Sequence, residues 1–202
     1  MSNNRLHIVC MIGLSSLLFS CASTRNFSTN YYYLHEKSLT DIEQSYKTLY
    51  EQKPFSVGFS DRSFNEISLE IITDSIKLIY EFGIREPRLQ DTLDRYGLPA
   101  TAVTELINQM RAIRCIWINT LDYYSNNQQR SLVYLSIKPA AFTIPFTIEK
   151  YYILTFYSQP QYFDSDGRLL ATRRQRKLRK INDDVFHRIN DKVCYTVSER
   201  FR

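Results

Sequence analysis

The sequence predicts an α+β fold built on a largely antiparallel sheet, and three observations carry that reading. Three consecutive stretches between Phe55 and Phe82 alternate apolar and polar residues with period two. Two stretches, Leu89 to Tyr96 and Val103 to Ile113, repeat apolar residues at helical spacing instead. Beyond Cys115 the chain returns to short aromatic and β-branched runs separated by turn residues. Segregated helices and strands in this order fit an antiparallel sheet with an N-terminal helix, a central helix pair and a short C-terminal helix.

The first helix is expected to start near Ser38 or Thr40, because Thr40-Asp41-Ile42-Glu43 has capping-box spacing. Leu39, Ile42, Tyr46 and Leu49 fall on one face, and Pro54 closes the segment. Phe55, Val57 and Phe59 then alternate with Ser56 and Gly58; Ile67, Leu69 and Ile71 with Ser68 and Glu70; Ile76, Leu78, Tyr80 and Phe82 with Lys77 and Glu81. Such patterning predicts a meander with one face on a core and one polar face toward water. Pro87 suits the first turn of the next helix, and Gly97 suits its left-handed end. Val103, Leu106, Ile107, Met110 and Ile113 make the following helix strongly amphipathic.

Cys115 to Ile118 is apolar on both faces and is expected centrally; Ser125 to Gln129 is expected as an exposed turn before Leu132 to Ile137. Pro139 to Phe146 is an aromatic connection, read as covering the core or a sheet edge, or else leaving an apolar patch for a partner. Tyr151 to Tyr157 reads as a strand, Asp164-Ser165-Asp166-Gly167 as a turn, Asp183 to Asn190 as a short helix, and Val193 to Val197 as the last strand.

The first twenty residues have the character of a targeting segment. Arg5 precedes an apolar run from Ile8 to Phe19, about twelve residues, shorter than the roughly twenty needed to span a bilayer. The run ends in Leu18-Phe19-Ser20-Cys21, which resembles the lipobox of bacterial lipoproteins, with Phe19 bulkier than usual at its place. The resemblance covers residues 1–21 only. It implies a diacylglycerol on the Cys21 thiol and cleavage between Ser20 and Cys21. Residues 1–20 are thus expected to be a lipoprotein signal peptide, residues 21–34 the lipidated cysteine and a tether, and residues 35–202 a single α+β globular domain. Residues 22–34 show no helical period, and thirteen extended residues reach at most about 45 Å. No acidic run follows Cys21, which points to an outer-membrane site facing the periplasm.

Composition narrows the function classes. The net charge of +5 falls to +4 when Arg5 is removed with the signal, a balance that marks solubility and no nucleic-acid partner. The helix after Gly97-Leu98-Pro99 carries only Arg111 and Arg114, near its end, so a helix-turn-helix reading has no basic face to support it. Of the four cysteines, Cys10 leaves with the signal and Cys21 is the lipid site. Cys115 and Cys194 remain, either as a disulfide permitted by an exported compartment or as two buried thiols.

Beyond residue 20 the only histidines are His35 and His187, in no metal-ligand spacing, and there is no HExxH, CxxC, GxSxG or glycine-rich phosphate loop. No catalytic residue, metal or cofactor is assigned. A calcium loop starting at Asp164 would need a glutamate at its twelfth place, where Gln175 stands, so a backbone turn is the better reading. The strongest surface signal is cationic: Arg173, Arg174, Arg176, Lys177, Arg179 and Lys180, with Arg168 just before. It suits lipid phosphate, anionic glycan or an acidic partner, or else forms a solvated edge. Three functions follow as expectations. The first is a membrane-anchored, non-catalytic binding or assembly component of the envelope. The second is a recognition module for anionic lipid or glycan through residues 173–180. The third is a small envelope hydrolase using His35 or His187 beside a carboxylate.

Overall fold

The computed structural model describes residues 3–125, 128–137, 150–170 and 186–199. The chain divides into two compact units, Met1–Glu36 and Lys37–Arg202. Helix α1 spans Asn3–Gln52 with one non-helical residue, His35 (φ −117°, ψ 16°), which separates two helical segments. Two expectations change here. Residues 22–34 are helical rather than extended, and Thr40 lies within the helix rather than capping it. Neither proline nor glycine occurs from Ala22 to Gln52, so nothing local stops helical bonding from propagating. None of the described helices is long and apolar enough to cross a membrane.

In the second unit the strands are β1 (Phe55–Phe59), β2 (Glu66–Ile72), β3 (Lys77–Gly83), β4 (Cys115–Ser125), β5 (Gln128–Ile137), β6 (Tyr151–Tyr157), β7 (His187–Arg188) and β8 (Val193–Ser198). Helices α2 (Pro87–Arg95) and α3 (Ala100–Ala112) lie between β3 and β4 in sequence. The strands form one sheet in the order β3-β2-β1-β4-β5-β6-β8-β7, every adjacent pair antiparallel. The α+β class with a largely antiparallel sheet is therefore what the chain adopts.

Register sorts the side chains into two faces. Tyr80, Leu69, Val57, Ile118, Leu135, Leu154, Tyr195 and His187 make one row from edge to edge. The helices cover this face. Leu39, Ile42, Tyr46 and Leu49 of α1 are all buried, and the Tyr46 ring lies 5.2 Å from that of Phe55. The Tyr46 hydroxyl donates to the Phe55 carbonyl at 2.5 Å, which joins helix and strand across Pro54. Val103, Leu106, Ile107 and Met110 of α3 are buried as their spacing predicted. Fully burying an aliphatic side chain contributes roughly 1.5–3 kcal/mol, so this layer is the main source of stability.

Helix α2 begins at Pro87 and ends where Gly97 takes φ +72°. Leu98 N–H donates to Leu93 C=O at 2.9 Å and Gly97 N–H to Asp94 C=O at 3.1 Å, a Schellman ending that satisfies two terminal carbonyls. Leu93 and Leu98 are both buried behind it. The Tyr96 and Tyr80 hydroxyls then share a 2.6 Å hydrogen bond that holds this end of α2 over β3.

The strand readings extend at their ends: β4 runs to Ser125 and β5 starts at Gln128, so Ser125, Gln128 and Gln129 of the expected turn are strand, and residues 126 and 127 lie outside the described residues. The short helix expected over Asp183 to Asn190 is corrected for its described part. His187 and Arg188 pair with Tyr195 and Cys194, and Asn190 Oδ1 accepts from the amides of Lys192 and Val193. Asn190-Asp191 thus makes a hairpin turn, and a hairpin satisfies its backbone groups where an isolated helical turn would leave them open. The 139–146 connection lies outside the described residues.

The opposite face holds Glu81, Ser68, Gly58, Trp117, Ser136, Ile153 and Thr196 in one row. Its centre is Gly58. A Cβ added there would lie 2.2 Å from Ile116 O, 2.4 Å from Trp117 Cε3 and 2.9 Å from Trp117 Cα. Trp117 occupies that space at the β1–β4 join, beside a bulge between Cys115 and Trp117. Gly58→Ala is expected to destabilise the protein by about 2–3 kcal/mol or more, since backbone and a buried indole must both shift. Urea unfolding measures this, and a loss below about 0.5 kcal/mol would contradict the steric account.

Candidate functional site

The residues singled out in the sequence fall into three groups. Cys21 lies within the first helical segment, in the unit that precedes Lys37. Arg173, Arg174, Arg176, Lys177, Arg179 and Lys180 lie outside the described residues. Arg168 is described and exposed, and it forms an isolated bridge with His187 beside β7.

The turn that presents Arg168 is set by Asp164. Its Oδ1 accepts from the amides of Asp166 at 3.0 Å and Arg168 at 2.7 Å, and Gly167 takes φ +73°. One oxygen of that carboxylate therefore serves the backbone turn. On either side of the basic run, Leu169 N–H donates to Phe186 C=O at 2.8 Å, and Arg188 N–H donates to Gly167 C=O at 2.8 Å. The chain leaves for residues 171–185 and returns at one place on the sheet edge. Arg188 lies over the Phe163 ring, 5.5 Å from its centroid, and bonds Asp191 Oδ1 at 2.5 Å. Exposed Arg168 and Lys192 add cationic character to the same edge.

Cys115 and Cys194 are both buried free thiols. The disulfide alternative is not realised, for a reason visible in the strand order. Cys115 lies on β4 and Cys194 on β8, with β5 and β6 between them. Three strand spacings place them about 14 Å apart, beyond the reach of a disulfide. Burial pushes the Cys115 thiol up to about 12, with only a partial opposing pull from its hydrogen bond to the Trp117 backbone. It is a small apolar filler and no nucleophile.

A buried carboxylate is the feature that sequence reasoning missed. Glu70 belongs to the polar face of the expected meander, yet Ser56, Ser68 and Glu70 are all buried. Ser56 Oγ donates to Glu70 Oε2 at 2.9 Å, and Lys77 Nζ lies 2.7 Å from the same oxygen. Tyr134 stands in this environment. Burial raises its phenol, hydrogen bonds from Asn119 and Trp117 pull it down, and the Glu70 charge adds a smaller upward push. The available signal was the pairing of Ser56 with Glu70 across adjacent strands, two short polar side chains able to satisfy each other. Ser56 and Lys77 thus both engage Glu70 Oε2, which ties this carboxylate to side chains of β1 and β3.

His35 and His187 each make a ring contact within their own unit. His187 stacks on Tyr195 at 5.3 Å, and His35 lies 4.6 Å from Tyr31 in the first unit. No group of three His, Cys, Asp or Glu able to hold a metal ion occurs among the described residues.

One open cleft of about 420 Å³ runs between the second segment of α1 and α3. Gln44, Thr48 and Gln52 line one wall, Glu105 and Gln109 the other, over an apolar floor of Leu49 and Leu106. Amide and hydroxyl groups over an apolar floor suit binding through hydrogen bonds and contact. No known family model, no curated protein and no solved structure matches this chain.

The Glu70 cluster yields an asymmetric prediction. Lys77→Ala leaves a buried carboxylate with only Ser56 and is expected to cost about 1–3 kcal/mol. Glu70→Gln keeps a partner for Ser56 and frees the half-exposed Lys77 to water, costing under about 1 kcal/mol. Denaturant unfolding of both variants checks the order; equal losses would contradict it.

Proposed function

We propose that this chain is a membrane-anchored lipoprotein of the bacterial cell envelope, acting as a non-catalytic binding or assembly component. The observation that carries the reading is Leu18-Phe19-Ser20-Cys21 at the end of a short apolar run, ahead of the unit that starts at Lys37. Two or more acyl chains on Cys21 hold a protein to a bilayer firmly, at about 0.8 kcal/mol per buried CH₂, without any spanning helix. The helical segment before Lys37 then serves as the link between anchor and domain. A lipid anchor needs only a surface to present, and the amide-lined cleft between α1 and α3 is a suitable one.

A second reading, recognition of anionic lipid or glycan through Arg168 and residues 173–180, is favoured by the exposed cationic edge at the neck of that segment. Bilayer attachment would hold this edge near anionic headgroups at high local concentration.

Expression of the full chain in a bacterial host with labelled fatty acid tests the first reading. The parent is expected to carry label and sediment with membranes, and Cys21→Ser to lose both. A Cys21→Ser chain still processed and membrane-bound would overturn it. The same unlipidated chain, mixed with phosphatidylglycerol vesicles at low salt, tests the second; failure to bind ends that reading and leaves the first untouched.

A further inference from the structure

Strand β3 stands at one end of the sheet, and one side of its backbone meets no other strand among the described residues. Thr73 N–H donates to Ile76 C=O at 3.0 Å, and Ile84 N–H donates to Asn65 C=O at 2.8 Å. Both pairs continue the β2–β3 register at its two ends. Hydrogen-bonded pairs alternate along an antiparallel ladder, so Leu78, Tyr80 and Phe82 bond inward to Ile71, Leu69 and Ile67. Lys77, Ile79 and Glu81 therefore aim their N–H and C=O groups away from β2, where no described strand lies. At the far end, Gly83 is already satisfied, its amide by Glu86 Oε2 and its carbonyl by Glu86 N–H.

Open edges invite pairing, and proteins commonly block them with proline or a bulge. Strand β3 has neither: its sequence is KLIYEFG and its register with β2 is unbroken. It also exposes an apolar side chain at its middle, Ile79, 57% accessible. Lys77 and Glu81 stand two residues to either side, on the same face and exposed.

We infer that β3 pairs antiparallel with β3 of a second copy of this chain, about a two-fold axis through Ile79. In that register Ile79 faces its own copy, and each Lys77 faces the Glu81 of the other chain. Every outward-bonding residue meets another, which gives three hydrogen-bonded pairs and about six backbone hydrogen bonds. Side-chain charge selects the register. A slip of one residue sets outward-bonding residues against inward-bonding ones. A slip of two sets Lys77 against Ile79 and Glu81 against Ser75 in one direction, or Lys77 against Gly83 and Glu81 against Ile79 in the other, so neither charge finds its complement. Lys77 keeps Glu70 throughout, because an ammonium offers three donors. An isologous contact of this kind is the commonest route to a closed dimer. Edge pairing alone buries little area, so association is weak and is best detected by a covalent trap.

The trap is a cysteine at the axis. Residues of a hydrogen-bonded antiparallel pair have Cα atoms about 5.5 Å apart, inside disulfide range. Ile79→Cys in the full-length chain, oxidised with copper phenanthroline, is expected to form a disulfide-linked dimer well above the background of the parent's own four cysteines. Glu81→Cys is the geometric control, because its two copies would be about 14 Å apart along the strands. Adding Glu81→Lys to Ile79→Cys sets lysine against lysine, and trapping is expected to fall several-fold at low salt. Thermal melting of each variant verifies that the fold is retained, as expected for positions exposed at an edge. Equal trapping at 79 and 81, or none above the parent at 79, would overturn the pairing.

Discussion

The fold depends on how closely β1 and β4 approach at Gly58. These two strands are far apart in sequence, with two strands and two helices between them, and their described pairing is short: Val57 with Ile118 and Gly58 with Trp117. On one side of the join lies the meander β1-β2-β3, and on the other the ladder from β4 to β7. The indole of Trp117 occupies the volume that any other residue at 58 would fill with its side chain. Glycine inside a strand is ordinarily a weakness; here the missing Cβ is what permits the contact. One apolar row from β3 to β8 then becomes possible, and α2, α3 and the part of α1 after Lys37 have a single surface on which to pack.

The opposite face follows a different rule. Ser56, Ser68, Glu70, Ser136, Thr155 and Thr196 are buried there, and burial of polar groups is tolerable only when each finds a partner. Ser56 and Lys77 provide that for Glu70, and the Cys194 carbonyl accepts from Thr155 Oγ1 at 3.3 Å. Groups committed to one another in this way favour a single register of the sheet, because a one-residue slip would exchange the polar and apolar faces. The surfaces offered by the proposals lie elsewhere: the α1–α3 cleft, the cationic edge beside β7 and the outer side of strand β3.

Much of this was legible in the sequence because local signals and tertiary packing agree. Phe55-Val57-Phe59 and Ile67-Leu69-Ile71 alternate, and both form strands at those positions. Pro87 and Gly97 bound α2 for stereochemical reasons that need no partner. The departures occur where the deciding contact is distant. Glu70 reads as a solvated residue because its burial depends on the closure of the whole face, and only its opposition to Ser56 hints otherwise. His187 and Arg188 read as helix because the strand that recruits them, β8, follows the Asn190 turn. Residues 22–34 lack an apolar stripe, so periodicity offered no sign of a helix that composition nonetheless allows.

Native-state hydrogen exchange across a series of low denaturant concentrations tests the join most directly. If the Gly58–Trp117 contact couples the two parts of the sheet, inward amides of β1 and β2 share with those of β4 and β5 one opening free energy, equal to that of global unfolding. A β1-β2-β3 meander that exchanges through a separate, cheaper opening while β4 and β5 remain protected would contradict the account.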